Sequence, residues 1–230
     1  MALVDRLDRW VDVHDHFGSP LRSALRPGLT ESQLRYGEAR LGFELLPDIC
    51  EFLMWATCGP GLIYFVPSGG YVEGWLTPAL ILRRSEGAIE VGNACDEDEE
   101  WCRPSPRPVK MVALFDGYTA FDHGDGPTRG GMWIWDGGGG GWMAPSFSHL
   151  IDTCLEFAER DWLRGGAYGL HLNDKAKAAS RTKEAEFYAQ HPDHAERIDL
   201  EWHLESLRLD AYDNPQLVTT RRRDWIWDRP

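Results

Sequence analysis

Leu45-Leu46-Pro47-Asp48-Ile49-Cys50-Glu51-Phe52-Leu53-Met54-Trp55 is the stretch from which the rest of this chain is read. Pro47 suits the first position of a helix, where its missing N–H costs nothing. Gly59 is placed to stop that helix in the left-handed conformation. Upstream, Thr30 and Gln33 form a capping box, in which the hydroxyl and the amide serve the first orphan N–H groups. That cap starts a helix at Glu31, which runs to about Leu41 and ends at Gly42. Two short helices joined by a tight apolar corner are therefore expected.

Further toward the N-terminus, Leu3, Leu7, Trp10, His14 and Phe17 recur at helical spacing and predict an amphipathic helix that stops at Gly18-Ser19-Pro20. A loop around Pro27-Gly28 separates it from the capped helix. In the other direction the texture becomes β. Leu62-Ile63-Tyr64-Phe65-Val66 is an apolar run closing on the turn signal Pro67-Ser68-Gly69-Gly70. Thr77-Pro78 opens a brief helix through Leu80 to Arg84, and Ile89 to Val91 reads as a short strand. Asp96 to Glu100, then Pro104, Pro106 and Pro108, suit neither sheet nor helix and read as an exposed loop. Val109 to Phe115 and Tyr118 to Phe121 flank Asp116-Gly117, a strong hairpin signal. Met132 to Trp135 is another strand, and Gly137 to Gly141 a flexible loop. Ser146 caps a helix whose buried stripe is Phe147, Leu150, Ile151, Cys154, Leu155 and Ala158.

Beyond Gly165-Gly166 the composition shifts. Lys175 to Tyr188 reads as a solvated helix. Ile198 to Leu209 fits a helix on Leu200, Leu204, Leu207 and Ala211, or a strand on Ile198, Leu200, Trp202 and Leu204, with helix preferred. The expected organisation is an N-terminal helix over 1–26, an α+β domain over 27–164, and a largely helical extension over 165–230 packed on that domain.

The 230 residues, 43% of them hydrophobic, suffice to bury a sizeable core. Acidic residues number 37 against 24 basic, a formal net charge of −13. That balance repels nucleic-acid phosphates and anionic headgroups and attracts basic protein surfaces; acidity that only keeps the protein in solution is the plainer alternative. The five cysteines, Cys50, Cys58, Cys95, Cys102 and Cys154, form no CxxC pair. Cys50, Cys58 and Cys154 fall in segments read as helical, where thiols act as small buried hydrophobes. A Cys95–Cys102 bridge stays open, but a disulfide framework or zinc site is not expected. Charges at Asp5, Arg6, Asp8 and Arg9 leave no apolar leader, and no apolar run approaches the ~18–20 residues that cross a bilayer. A cytoplasmic protein is the expectation.

The order of capped helix, apolar corner, second helix, glycine, β-hairpins and closing helix resembles the SUKH superfamily of fungal cell-wall-synthesis regulators and bacterial immunity proteins. The residues that carry it are Leu41-Gly42, Leu46-Pro47-Asp48 with Phe52-Leu53, Trp135-Asp136, and Ser146-Phe147 with Leu150. The likeness spans roughly Pro27 to Glu159. It departs at Cys58-Gly59, where the family usually shows Asn-Gly, and after Gly166 it has no counterpart. The resemblance implies a twisted, mainly antiparallel sheet with an N-terminal helix pair and a closing helix packed on it. It also implies a binding function: in bacteria, neutralising a toxin, often a nuclease, by occluding it.

Candidate contact residues follow from charge and ring size. Asp96, Glu97, Asp98, Glu99 and Glu100 are five clustered carboxylates that can mimic phosphates in a basic groove, or merely keep a loop solvated and extended. Trp101 adjoins them, and Trp142 lies beside five glycines; tryptophan anchors interfaces, although most of the eleven here must serve the core. Asp122 and Asp125 flank His123, where a carboxylate–imidazole site can form. His14 and His16 point about 200° apart on a helix and cannot share a metal. His191 and His194 sit in a surface turn. No nucleophile elbow, HExxH or phosphate loop is present. Arg221-Arg222-Arg223 with Trp225 and Trp227 suits docking on an acidic surface more than nucleic acid. The expected function is that of an immunity-type binder of a basic toxin domain, with no enzymatic activity, cofactor or metal. An endogenous scaffold of the same fold and a metal-dependent hydrolase centred on His123 are the alternatives.

Overall fold

The computed structural model describes residues 1–18, 21–59, 63–68, 71–93, 110–115, 119–126, 129–135, 140–166 and 169–190. Among these, helices alternate with short antiparallel ladders, an α+β arrangement. In chain order the elements are α1 (Leu3–His16), α2 (Leu21–Ala24), β1 (Leu25–Pro27), α3 (Glu31–Leu41), α4 (Pro47–Trp55), β2 (Ala56–Cys58), β3 (Ile63–Ser68), β4 (Tyr71–Trp75) and α5 (Pro78–Asn93). There follow β5 (Met111–Val112), β6 (Thr119–Asp122), β7 (Met132–Trp135), β8 (Gly140–Ala144), α6 (Phe147–Glu159), β9 (Leu163–Gly166), β10 (Gly169–Leu172) and α7 (Asp174–Gln190). β5-β6-β7-β8 form a four-stranded antiparallel meander, while β1-β2, β3-β4 and β9-β10 pair two by two.

Local chemistry accounts for the helix boundaries. Thr30 Oγ1 accepts from Gln33 N and Gln33 Oε1 from Thr30 N (2.8 Å), so the box at the head of α3 closes in both directions. Gly42 ends α3 at φ +80° with its N–H on the Glu38 carbonyl. Pro47 opens α4. Ser146 Oγ accepts from His149 N at 3.0 Å and starts α6. The apolar stripe of α1 is inward as its spacing requires: Leu3, Leu7, Trp10, Val11 and His14 are buried.

Phe52 sits where the layers meet. Its ring lies 4.6 Å from Phe147 of α6, 4.8 Å from Trp75 of β4 and 5.5 Å from Phe65 of β3. Phe115 and Phe121 extend the cluster to β6, with Phe121 5.8 Å from Phe147. Aromatic pairs at such tilts add roughly 0.5–1.5 kcal/mol each beyond the area they bury. One cluster thus ties α4, α6 and the strands into a single core.

Three helices of this core run the same way. Val4 N donates to Glu51 Oε1 (3.3 Å) and Trp55 Nε1 to Asp8 Oδ1 (2.9 Å), so α1 advances beside α4. Arg6 reaches Asp152 (2.6 Å) and Arg9 reaches Glu159 (2.5 Å), so α1 also advances beside α6.

Several expectations are corrected. α4 ends at Trp55, not at Gly59, because Ala56 turns extended (φ −157°) and β2 pairs with β1; Cys58 therefore lies in a strand. β1 replaces part of the expected loop, and Gly28 follows it because a Cβ there would stand 1.7 Å from the Met54 carbonyl oxygen. Ile89 to Val91 belongs to α5, which runs well past Arg84. Buried Ile81 and Ser85 define its inner face, and Ser85 Oγ donates to the Ile81 carbonyl (2.7 Å) while accepting from Ala113 N (2.9 Å). The strand expected from Val109 to Phe115 shortens to β5, with Met111 opposite Asp122 and Val112 opposite Phe121; Phe115 instead bridges to Trp75. Gly140 and Gly141 belong to β8 and pair with Trp135 and Ile134 of β7. The composition shift at Gly165-Gly166 falls inside the β9-β10 hairpin, so the segment after residue 164 opens with strand before α7. Ile198 to Leu209, Arg221 to Arg223, Trp225, Trp227, His191 and His194 lie outside the described residues.

Candidate functional site

Asp122, His123 and Asp125 come together where β6 runs out toward β7. Asp122 is consumed locally. Its N–H donates to Gly131, its carbonyl accepts from Gly130 N (2.7 Å), and Oδ1 accepts from Gly124 N (2.7 Å). Such a carboxylate organises a turn. Asp125 is exposed, with Lys110 Nζ at 3.4 Å and Arg129 Nη1 at 3.3 Å. Two cations so placed balance the two carboxylates, which leaves this turn without an acidic excess.

His123 is 2% exposed. Nδ1 lies 3.0 Å from the Phe121 carbonyl, which can only accept, so the proton sits on Nδ1 and Nε2 presents a lone pair. Nε2 is buried and has no hydrogen-bond partner among the described residues. Burial pushes the imidazole down, against upward pulls from the Phe121 carbonyl, Asp122 and Asp48; Arg129 adds to the lowering. The Phe43 ring, 5.4 Å away, covers it. The structure therefore joins His123 to Asp122 and Asp125 in sequence space but encloses the ring, while Asp125 faces solvent.

The remaining sequence candidates fare differently. Asp96 to Glu100 and Trp101 lie outside the described residues. Trp142 occupies β8, opposite Trp133 of β7. Of the histidines on α1, His14 is buried and His16 exposed, in keeping with their angular separation.

A second acidic feature was not among the sequence candidates. Asp5, Asp8, Asp12 and Asp15 are all exposed along α1, at helical spacing on the side away from its apolar stripe. Arg22 bonds both Asp12 and Asp15. Arg6 and Arg9 instead turn to α6, so they leave the ridge its negative charge. The signal lies in the three- and four-residue intervals between the aspartates.

Among the described residues no cluster of His, Cys, Asp and Glu is arranged to hold a metal ion. Cys50, Cys58 and Cys154 are free thiols, with Cys58 pushed by burial to about 11 and Cys154 to about 12. Thiols held protonated in this way are poor nucleophiles and ligands. Among the described residues no helix is long and apolar enough to cross a membrane. No family model and no curated protein matches the chain.

Proposed function

We propose that the chain is a protein-binding, immunity-type protein of SUKH-like fold, acting in the cytoplasm to neutralise a cognate toxin by covering its surface. The observation that carries this reading is the aspartate ridge on α1, displayed by a helix whose opposite face is anchored in the core. A formal charge of −13 gives such a ridge a field that draws in a basic partner and speeds encounter. A basic toxin domain, such as a nuclease whose groove receives phosphates, fits that field. The succession of α3, the apolar corner, α4, antiparallel strands and closing α6 supports the family reading. The burial of His123 weighs against a hydrolase built on that ring, since a substrate would first have to displace its cover.

Coexpression with the product of the adjacent open reading frame tests the proposal. Relief of that product's toxicity is the expected result. A product harmless alone, or equally lethal beside this chain, overturns it.

A further inference from the structure

Three buried side-chain atoms lack a hydrogen-bond partner among the described residues: Arg6 Nε, Trp75 Nε1 and His123 Nε2. The first two already carry their hydrogen, so His123 Nε2 is the one that can take up a proton. Its enclosure is unevenly built. On the strand side, backbone bonds fix the turn: His123 N on the Lys110 carbonyl (2.8 Å), Asp122 N on that of Gly131 (2.9 Å), and Gly130 N on that of Asp122 (2.7 Å). On the helix side, Asp48 Oδ1 accepts from Ile49 N (3.0 Å) and Oδ2 from Ser148 N (3.2 Å), which ties the starts of α4 and α6 together.

The remaining wall is the corner between α3 and α4, where the half-buried Phe43 ring lies over the imidazole. Gly42, at φ +80°, precedes it, and a Cβ there would meet nothing within 4 Å, so the backbone has room to turn. Phe43, Glu44 and Leu45 are held by a single hydrogen bond among the described residues, Leu45 N on Glu38 Oε1 (2.9 Å). This is the weakest side of the enclosure.

A proton arriving on Nε2 creates a buried charge and a second N–H, since Nδ1 already donates to the Phe121 carbonyl. The charges that reach the ring are Asp122 on its own strand, Asp48 on α4 and Arg129 in the turn before β7. Both carboxylates are engaged, Asp48 as above and Asp122 Oδ1 with Gly124 N (2.7 Å). Lys110, across the ladder, is held by Asp125. His149 of α6 answers to its own burial and to Lys183, Asp152 and Glu156. The new N–H therefore has no acceptor ready while the corner is closed, and water supplies one once it opens.

We infer that the α3–α4 corner is an acid-operated latch, in which protonation of His123 Nε2 swings Phe43 aside about Gly42 and admits water to the ring. The open form binds the proton more tightly than the closed one. The closed corner thus holds fully above pH 6.5 and loosens as pH falls below it. The device acts in the isolated chain and needs no partner.

The test follows the His123 ring nitrogens by NMR in the full chain, together with amide hydrogen exchange corrected for its intrinsic pH dependence. Between about pH 7 and about pH 5.5, protection of Phe43, Glu44 and Leu45 should fall at least about threefold, in step with protonation of Nε2. Leu150 and Ile151, inside α6, should keep theirs. Phe43→Ala, which uncovers the ring, should move the His123 titration up toward 6.5. His123→Gln should leave the corner equally protected at both ends of the range. Glu38→Gln, which can still accept from Leu45 N, should leave the response in place. Protonation of His123 with no change at the corner, or only together with global unfolding, overturns the latch. An unmoved titration in Phe43→Ala, loosening retained in His123→Gln, or a response lost in Glu38→Gln does the same. Should His123→Gln not fold, the titrations of the unaltered chain and of Phe43→Ala decide the matter.

Discussion

Leu53 lies within α4, 3% exposed, among the residues around Phe52. Removing three of its carbons should empty core volume that the aromatic cluster cannot refill. Leu53→Ala is expected to cost ~2–5 kcal/mol by chemical denaturation, and a loss below ~1 kcal/mol would place the residue outside the core. His14 carries a different liability. Burial drives its imidazole from 6.5 down to about 4, against upward pulls from the Phe65 carbonyl (2.9 Å) and Asp15. The folded protein therefore keeps the ring neutral in a range where the unfolded chain binds a proton. Its contribution is intact above pH 6.5 and is lost as pH falls through the window to about 4. The total is roughly 3 kcal/mol. His14→Gln should flatten the stability profile between those limits. An undiminished slope would assign the effect to His123 and His149, which burial also lowers.

At the level of elements, capping carries much of the definition. Thr30→Ala removes one half of the box on α3 and should destabilise the protein by ~1 kcal/mol, read as a shifted denaturation midpoint at constant slope. No shift would mean that Gln33 alone sustains the cap. Caps were legible in the sequence because they are local: Thr30, Gln33, Gly42, Pro47 and Ser146 act within four residues. The extent of α5 was not. Ile89 to Val91 is too short an apolar run to distinguish strand from helix, and the choice fell to packing against α3, where Arg40 pairs with Glu86. The end of α4 was misplaced for the same reason. Its limit is set by β1, a partner some thirty residues away.

For the molecule as a whole, charge is the quantity most open to test. Replacing Asp96, Glu97, Asp98, Glu99 and Glu100 by Asn and Gln should slow association with the proposed basic partner and weaken the salt dependence of the rate. The melting temperature should barely move, as the sequence reading of that segment as a solvated loop requires. An unchanged on-rate at low salt would remove that segment from the contact. The acidic excess was visible in composition, and Asp122 and Asp125 were visible as residues. The pairing of Asp125 with Lys110 and Arg129 was not, because Lys110 is brought alongside by the β5-β6 ladder.

By itself the sequence determined where helices start, which stripe of α1 and α6 faces inward, and that the whole chain is strongly acidic. Those properties depend on spacing and composition within a few residues. Only the tertiary structure decided that α1, α4 and α6 run in parallel, that His123 is enclosed, and that the ends of α1 and α6 meet at one cleft. Each of these depends on contacts between distant segments, and the direction in which one helix passes another leaves no mark in the local order of residues.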